Sequence, residues 1–169
     1  ARANGMDSSA GRRGFASPCC ILHGSAVNQD GKSASFMAPN GPSQEVLIRE
    51  VMQDAGVAPS DSSLFECHGT GTALGDPMEV GALGKVLAGG SAATQGGQAK
   101  PESPGLVLGA LKSSIGHTEG SAGVMGMIKT VSTLREGAAP PNLHLRSLNG
   151  KLQLDGFGVV MPGVVGGMV

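Results

Sequence analysis

Two histidines in glycine-rich segments are the residues of this chain best suited to chemistry. His68 lies in the run ECHGTGTALGDP, and His117 lies in KSSIGHTEGSAG, five residues after Lys112. Both histidines adjoin a glycine, and hydroxyl side chains are close by in sequence, namely Thr70, Thr72, Ser113, Ser114 and Thr118. Glycine lets a substrate approach the backbone. A neutral imidazole donates one hydrogen bond, and the partner of its other nitrogen decides which nitrogen carries the proton. Two histidines and a lysine therefore suit a reaction in which negative charge develops on a carbonyl oxygen.

The other two histidines lack these surroundings. His23 follows a hydrophobic segment and precedes a glycine, and His144 lies between two leucines after a double proline. A lone histidine in an apolar segment is usually a packed or surface group. We therefore expect both residues to be structural.

The three cysteines predict reduced thiols. Cys19 and Cys20 are adjacent, Cys67 precedes His68, and no CxxC spacing occurs. Neighbouring cysteines rarely form a disulfide, which favours an intracellular protein. A zinc site built from Cys67, His68 and a distant histidine is an alternative, although structural zinc sites use paired ligands at short spacing.

Composition excludes several classes of protein. The 169 residues have the length of one domain, and 40% are apolar, which is enough for a core. A net charge of −1 and four Phe without Trp or Tyr give neither the charge footprint nor the stacking platforms of a nucleic-acid binder. The sequence contains no apolar run of about 18 residues, and we expect no signal peptide in it. Because the chain begins at Ala1, we expect a piece of a longer protein.

Alternating helices and strands must position the candidate residues. Apolar spacing predicts helices over 42–56, 76–90 and 116–137. It predicts a strand followed by a turn over 19–28, strands over 63–67 and 106–111, and two short strands about a turn within 150–163. This order indicates a layered α/β domain. Ligands of such sheets lie at the carboxyl ends of strands, where His68 and Lys112 fall, with His117 in the turn beyond.

The last helix and one connection have unusual compositions. Gly120, Gly123 and Gly126 recur in the otherwise apolar helix 116–137. Glycine in a helix costs about 1 kcal/mol relative to alanine, so the repeat predicts a buried central helix in close contact with another layer. Residues 89–105 are of low complexity, and we expect them to form a flexible, exposed connection.

Four segments resemble consecutive motifs of a known family. They are GSAVNQDGKSASFMAPNGPSQ, ECHGTGTALGDPMEV, GALKSSIGHTEGSAGVMGMIK and PPNLHL. In order and spacing they are similar to the β-ketoacyl synthase (ketosynthase) domain of type I polyketide synthases, from about Ile21 to Asn149. The resemblance implies one C-terminal half, layered α/β/α, of a two-half thiolase-like fold. On this reading residues 19–169 belong to that half, and 1–18 are a loop or the end of a preceding segment.

The resemblance also implies a reaction and the residues that carry it. Ketosynthases extend an acyl thioester, held on a cysteine, by decarboxylative Claisen condensation with a malonyl-type extender. The extender arrives on the phosphopantetheine arm of an acyl carrier protein, and no intrinsic cofactor or metal is needed. By resemblance, His68 and His117 stabilise the enolate oxygen, Lys112 orders the hydrogen bonds around the second histidine, and Thr70 and Thr72 contact the pantetheine arm.

The chain departs from the family pattern in ways that affect activity. The family's nucleophile lies in a TACSS-like elbow in the other half of the domain, and neither that elbow nor the last glycine-rich segment with its NAH motif occurs here. Cys19, Cys20 and Cys67 lack the nucleophile's context, and Ser114 replaces a common asparagine with little expected effect. The isolated chain is therefore expected to be inactive, and the family's homodimer to depend on the intact domain.

Three alternatives stay open. A fatty acid synthase ketosynthase has similar motifs, although NQDG with APNGPSQ favours the polyketide branch. A non-elongating ketosynthase could serve as a scaffold or chain carrier, but such domains often lose a histidine that is present here. Outside the enzymes, the chain could be a glycine-rich α/β module that binds a partner.

Overall fold

In the part of the chain that the structure describes, three short parallel strands form the sheet that carries the site. The computed structural model describes residues 18–31, 39–87, 105–155 and 157–163. The strands are β1 (Leu64–Glu66), β2 (Leu106–Gly109) and β3 (Val159–Val160), in the order β1-β2-β3. Leu64 pairs with Val107, and Leu106 pairs with Val159. Since β1 and β2 run parallel, their carboxyl ends meet at one edge of the sheet.

Four α-helices accompany the sheet within the described ranges. They are α1 (Gly41–Ala55), α2 (Gly75–Leu87), α3 (Lys112–Ile115) and α4 (Ala122–Glu136), with 3₁₀ turns at Pro59–Asp61 and Glu119–Ser121. The predicted helix over 42–56 is confirmed as α1. The Asn40 side chain accepts the Ser43 N–H at 3.2 Å, and Gly56 ends the helix at φ 65°.

The core lies between α2 and the sheet. Helix α2 buries Val80, Ala82, Leu83 and Val86, and they are joined by Leu106, Leu108, Phe157 and Met161. The Phe157 ring lies 3.5 Å from where a Cβ would stand on Gly84, so the small residue lets the ring approach the helix. The α/β class predicted from the sequence is confirmed.

One predicted strand does not form, and two others reduce to a single strand. Residues 18–31 form no strand, and Ile21 and Leu22 are 71% and 73% exposed. An apolar run becomes a strand only where a partner strand accepts its hydrogen bonds, and the described residues offer none. The two strands expected about a turn within 150–163 reduce to β3, which pairs with β2 in parallel and forms no hairpin.

The side chain of Asn142 explains why β3 is so short. Its Oδ1 accepts the Ala110 N–H at 2.7 Å, and its Nδ2 donates to the Leu108 carbonyl at 3.0 Å. The amide group therefore occupies the edge of β2 just where a longer β3 would continue. Asn142 is buried, which makes these bonds strong and costly to lose.

The prediction of one buried helix over 116–137 is also wrong. Gly116 at φ 76° and Glu119 at φ 49° separate α3 from α4. Helix α4 packs against β1, but its outer face is open, with Val124, Met127, Ile128 and Leu134 all more than half exposed. Of the three glycines, only Gly126 lies where an added Cβ would contact a neighbour, the Glu66 side chain. Among the described residues no second layer covers the outer face of α4.

The predictions for 1–18 and 89–105 fall almost wholly outside the described residues. Within the described ranges, no helix combines the length and the apolar character needed to cross a membrane.

Candidate active site

His68 follows directly from the end of β1. The Cys67 N–H donates to the Gly109 carbonyl at 2.7 Å, which extends the pairing with β2 by one residue. Gly69 then turns the chain at φ 50°, and a Cβ there would lie only 2.8 Å from the Ala110 Cβ. Glycine is therefore required immediately after the histidine.

The first turns of α2 hold the loop that carries His68. The Glu79 carboxylate accepts the N–H groups of His68 and Gly69 at 2.5 and 2.9 Å. Asp76 accepts the Gly71 N–H at 3.1 Å. Carboxylates near a helix N-terminus are stabilised by the helix dipole, so α2 and the loop support one another.

Lys112 reaches His68 from the end of β2. Its Nζ lies 3.2 Å from Nδ1 of His68 and 2.5 Å from the carbonyl oxygen of the same residue. An ammonium group only donates hydrogen bonds, so Nδ1 accepts and the proton of the neutral ring is on Nε2. The resemblance implied that Lys112 orders the second histidine; its hydrogen bonds in the structure are to the first.

His117 is brought to the same place by the turn between α3 and α4. The Glu119 N–H donates to Nδ1 of His117 at 2.8 Å, so this ring, when neutral, also carries its proton on Nε2. The rings of His68 and His117 meet edge to face, with 5.5 Å between centroids. Both residues are exposed overall, although the surrounding atoms cover part of His68.

The surroundings favour neutral His68. Partial burial, followed by the nearby Lys112 ammonium, lowers the pKa of His68, and both outweigh the opposite effect of Glu79 and Asp76. A lower pKa keeps the ring uncharged near neutral pH, when it can accept from Lys112 and donate from Nε2 at the same time.

The two threonines differ in position. Thr70 lines a cavity of about 320 Å³ with His68 and the apolar side chains of Ile48, Phe65 and Leu83. Thr72 is exposed; its Oγ1 lies 3.2 Å from that of Thr70 and accepts the Gly75 N–H at 3.0 Å. Only Thr70 therefore faces a cavity next to the imidazole.

The three cysteine thiols do not take part in the hydrogen bonds of His68, Lys112 and His117. Burial, with the charges of Glu79 and Glu66, raises the pKa of Cys67, so its thiol stays protonated. Cys19 and Cys20 are exposed. No group of three or more His, Cys, Asp or Glu side chains in the described ranges is arranged to hold a metal ion.

His23 and His144 lie outside the cluster. Both are exposed, and His144 has a left-handed backbone, φ 68°, in a surface turn.

Residues missed by sequence reasoning support the site. Glu79 and Asp76 could have been found, because acidic residues in the first turns of a helix after a glycine loop often bind that loop's N–H groups. Glu66, Lys129 and Asn142 gave no such signal, since their partners are distant in sequence.

Comparisons with known proteins show which family the chain resembles. The family model "Beta-ketoacyl synthase, C-terminal domain" matches residues 19–146. One component of the phenolphthiocerol/phthiocerol polyketide synthase of Mycobacterium tuberculosis is 45% identical over 129 residues, which are 76% of this chain and 6% of that protein. The pikromycin polyketide synthase component PikAIII of Streptomyces venezuelae is 50% identical over 125 residues, 74% of this chain and 7% of the relative.

Solved structures give the same picture. The oxazolomycin ketosynthase domain of Streptomyces albus JA3453 superposes with a TM-score of 0.74 at 34% identity, covering 86% of this chain and 24% of that one. A ketosynthase from module 6 of the bacillaene synthase of Bacillus subtilis 168 gives 0.71 at 32% identity, covering 83% and 23%. The chain thus spans about a quarter of the solved ketosynthases and less than a tenth of the two curated relatives.

Proposed function

Because the chain belongs to the β-ketoacyl synthase C-terminal domain family and has the thiolase-like fold of polyketide ketosynthases, we propose that it is the oxyanion-binding half of a condensing enzyme. The observation that carries the proposal is that the Nδ1 atoms of His68 and His117 both accept hydrogen bonds. Lys112 donates to Nδ1 of His68, and the Glu119 N–H donates to Nδ1 of His117. Two adjacent rings are thereby left with Nε2–H donors.

The proposed reaction is decarboxylative condensation in polyketide synthesis. A malonyl-type thioester on the phosphopantetheine arm of an acyl carrier protein loses CO2, and the C–C bonding electrons form an enolate. The enolate carbon then attacks the carbonyl of an acyl thioester on a cysteine of the other half-domain. The cysteine leaves as a thiolate, and the elongated β-ketoacyl chain remains on the carrier protein.

In this scheme His68 and His117 donate from Nε2 to the oxygen that becomes negative. Donors aimed at a developing oxyanion each lower a barrier by about 3–4 kcal/mol in measured cases. Lys112 acts by holding His68 in the required tautomer. Thr70, which lines the cavity beside His68, contacts the pantetheine arm with Thr72 at the open side.

The isolated chain lacks the family's cysteine elbow and is expected to be inactive. The apolar outer face of α4 supports this view, because a half-domain with its partner absent leaves such a face uncovered. Dimerisation, as in the family, is expected of the complete domain.

The test is condensation by a completed domain. The chain is joined to the nucleophile-carrying half of a polyketide ketosynthase and assayed with an acyl donor and radiolabelled malonyl-carrier protein. Labelled β-ketoacyl product is expected from the completed domain and none from the chain alone. A soluble, folded domain that loads the acyl group but forms no product would refute the proposal and favour a scaffold.

A further inference from the structure

We infer that Glu66 is a positioning residue of this site, whose carboxylate fixes the end of β2 so that Lys112 reaches His68. The inference rests on the proposed function, because it concerns the same two histidines. It assigns a task to a residue that the preceding scheme does not use.

The carboxylate of Glu66 makes two contacts in the interior. Oε1 accepts the Leu111 N–H at 2.6 Å, and Oε2 accepts from Nζ of Lys129 at 2.7 Å. The Glu66 and Lys129 side chains are 10% and 11% exposed. Both hydrogen bonds are charge-assisted and protected from water, so they are strong and directional.

These contacts join the three segments that bear the candidate residues. Glu66 ends β1, two residues before His68. Leu111 immediately precedes Lys112, and Lys129 belongs to α4, the helix that follows His117. One carboxylate thus links the strand of the first histidine, the backbone beside the lysine and the helix after the second histidine.

Two glycines leave the space that this side chain occupies. A Cβ on Gly109 would lie 2.5 Å from Oε2 of Glu66 and 2.8 Å from Nζ of Lys129. A Cβ on Gly126 would lie 3.4 Å from Cγ of Glu66. The neighbouring backbone therefore accommodates this pair closely and allows the carboxylate little freedom.

The link from Glu66 to His68 passes through one amide. With the Leu111 N–H held, the backbone of Lys112 has a fixed place relative to β1, and its ammonium lies within reach of Nδ1 of His68. Buried ion pairs often add little net stability compared with apolar side chains of similar size. A role in geometry can therefore be separated from a role in stability.

Two double variants make this separation. Glu66→Met/Lys129→Met and Glu66→Gln/Lys129→Gln both remove the buried charges, but only the glutamine pair keeps an oxygen for the Leu111 N–H. Each is made in the full 169-residue chain labelled with ¹⁵N-histidine. Proton–nitrogen correlation spectra at about pH 8, above the ordinary imidazole pKa of about 6.5, report the tautomer of His68, which is assigned with His68→Gln.

The wild type and the glutamine pair are expected to show His68 protonated at Nε2 alone. In the methionine pair this single tautomer is lost. Leu106→Ala, which weakens the core at the start of β2 away from the site, serves as the control and should retain it. The same tautomer in both folded double variants would overturn the inference.

A second variant tests the same hydrogen bond in case the methionine pair does not fold. An ester in place of the peptide bond between Ala110 and Leu111 removes the N–H donor and leaves Glu66 paired with Lys129, although it also weakens the Ala110 carbonyl as an acceptor for Ser113. Loss of the single His68 tautomer is expected again, and its retention would also overturn the inference.

Rates in the completed domain distinguish this inference from the proposed function. A displacement of about 1 Å can lower a rate roughly a hundredfold, so kcat should fall by about that factor in the methionine pair and little in the glutamine pair. If the methionine pair loses the single His68 tautomer as expected but the completed wild-type domain forms no condensation product, only the proposed function is refuted. If the completed wild-type domain condenses normally and the folded methionine pair keeps the single His68 tautomer, only the inference about Glu66 is refuted.

Discussion

The ring of His68 stands nearly perpendicular to the ring of His117, at 88° with 5.5 Å between centroids, although 49 positions separate the residues in sequence. The Nδ1 atom of each ring accepts a hydrogen bond, so each neutral ring carries its proton on Nε2. This arrangement makes the cluster suited to stabilising an anion, and several consequences of it can be measured.

The first prediction concerns the titration of His68. Its pKa is lowered in the folded chain from the ordinary 6.5, first by partial burial and then by Lys112. The unfolded chain therefore binds the proton of His68 more readily than the folded chain does. The free energy of unfolding that the neutral ring contributes is fully present above pH 6.5 and is lost as the pH falls through the folded-state pKa. An NMR titration should place the midpoint below 6.5; one at or above 6.5 would contradict the described surroundings.

Removing the ammonium should change that midpoint in a known direction. Lys112→Met deletes the second cause of the lowered pKa but leaves the first, the burial of the ring. The midpoint of His68 is expected to rise towards 6.5 without reaching it, and the ring should no longer be confined to the Nε2–H tautomer. An unchanged midpoint and tautomer would show that Lys112 does not act on this histidine.

Glu79 should act on both the loop and the charge of His68. Glu79→Gln removes a negative charge that raises the pKa of His68, so the midpoint should fall further. One of the two loop N–H groups also loses its acceptor, which costs about 1–3 kcal/mol of the free energy of unfolding. Urea unfolding measures this loss. The matched control is Glu45→Gln, in the exposed pair with Lys85, where less than about 1 kcal/mol is expected.

Two glycines should respond oppositely to alanine. Gly69→Ala puts a Cβ 2.8 Å from the Ala110 Cβ at a left-handed residue, φ 50°. The backbone strain alone costs roughly 1–2 kcal/mol, and the clash adds to it. Gly123→Ala meets open space within α4 and should stabilise the isolated chain by about 0.5–1 kcal/mol. Equal effects in urea unfolding would contradict this placement of the loop and helix.

The thiols should fall into two classes. Cys19 and Cys20 are exposed, whereas burial raises the pKa of Cys67. Ellman's reagent at about pH 8 should therefore modify two thiols of the native chain quickly, and the third only after unfolding. A Cys67→Ser variant is the control and should lose only the slow thiol. Rapid reaction of all three thiols in the native wild type would show that Cys67 is accessible.

The positions of the candidate residues follow from sequence patterns more readily than their contacts do. His68 and Lys112 end short apolar runs, and parallel strands bring such ends together. The bond from Glu119 to His117 depends on a left-handed residue in the turn, and glutamate at such a φ has no signature. Glu66 and Lys129 pair across 63 positions of sequence, beyond any local pattern.

Two errors have a common physical origin. The apolar run at Ile21 and Leu22 and the apolar face of α4 were both expected to be covered. Apolar periodicity shows that a surface should be buried, but not whether the covering element belongs to the described part of the chain. The exposed faces are consistent with a partner half-domain.

The most direct measurement of the central claim is CO2 release from a radiolabelled malonyl thioester by the completed domain, because this step creates the enolate. His68→Ala, His117→Ala and the double variant are compared with the wild type, with His144→Ala as a surface control. Each single variant is predicted to release CO2 roughly a hundredfold more slowly, and the control at the wild-type rate. Wild-type CO2 release by the folded double variant would contradict the claim that the two imidazoles stabilise one anionic oxygen.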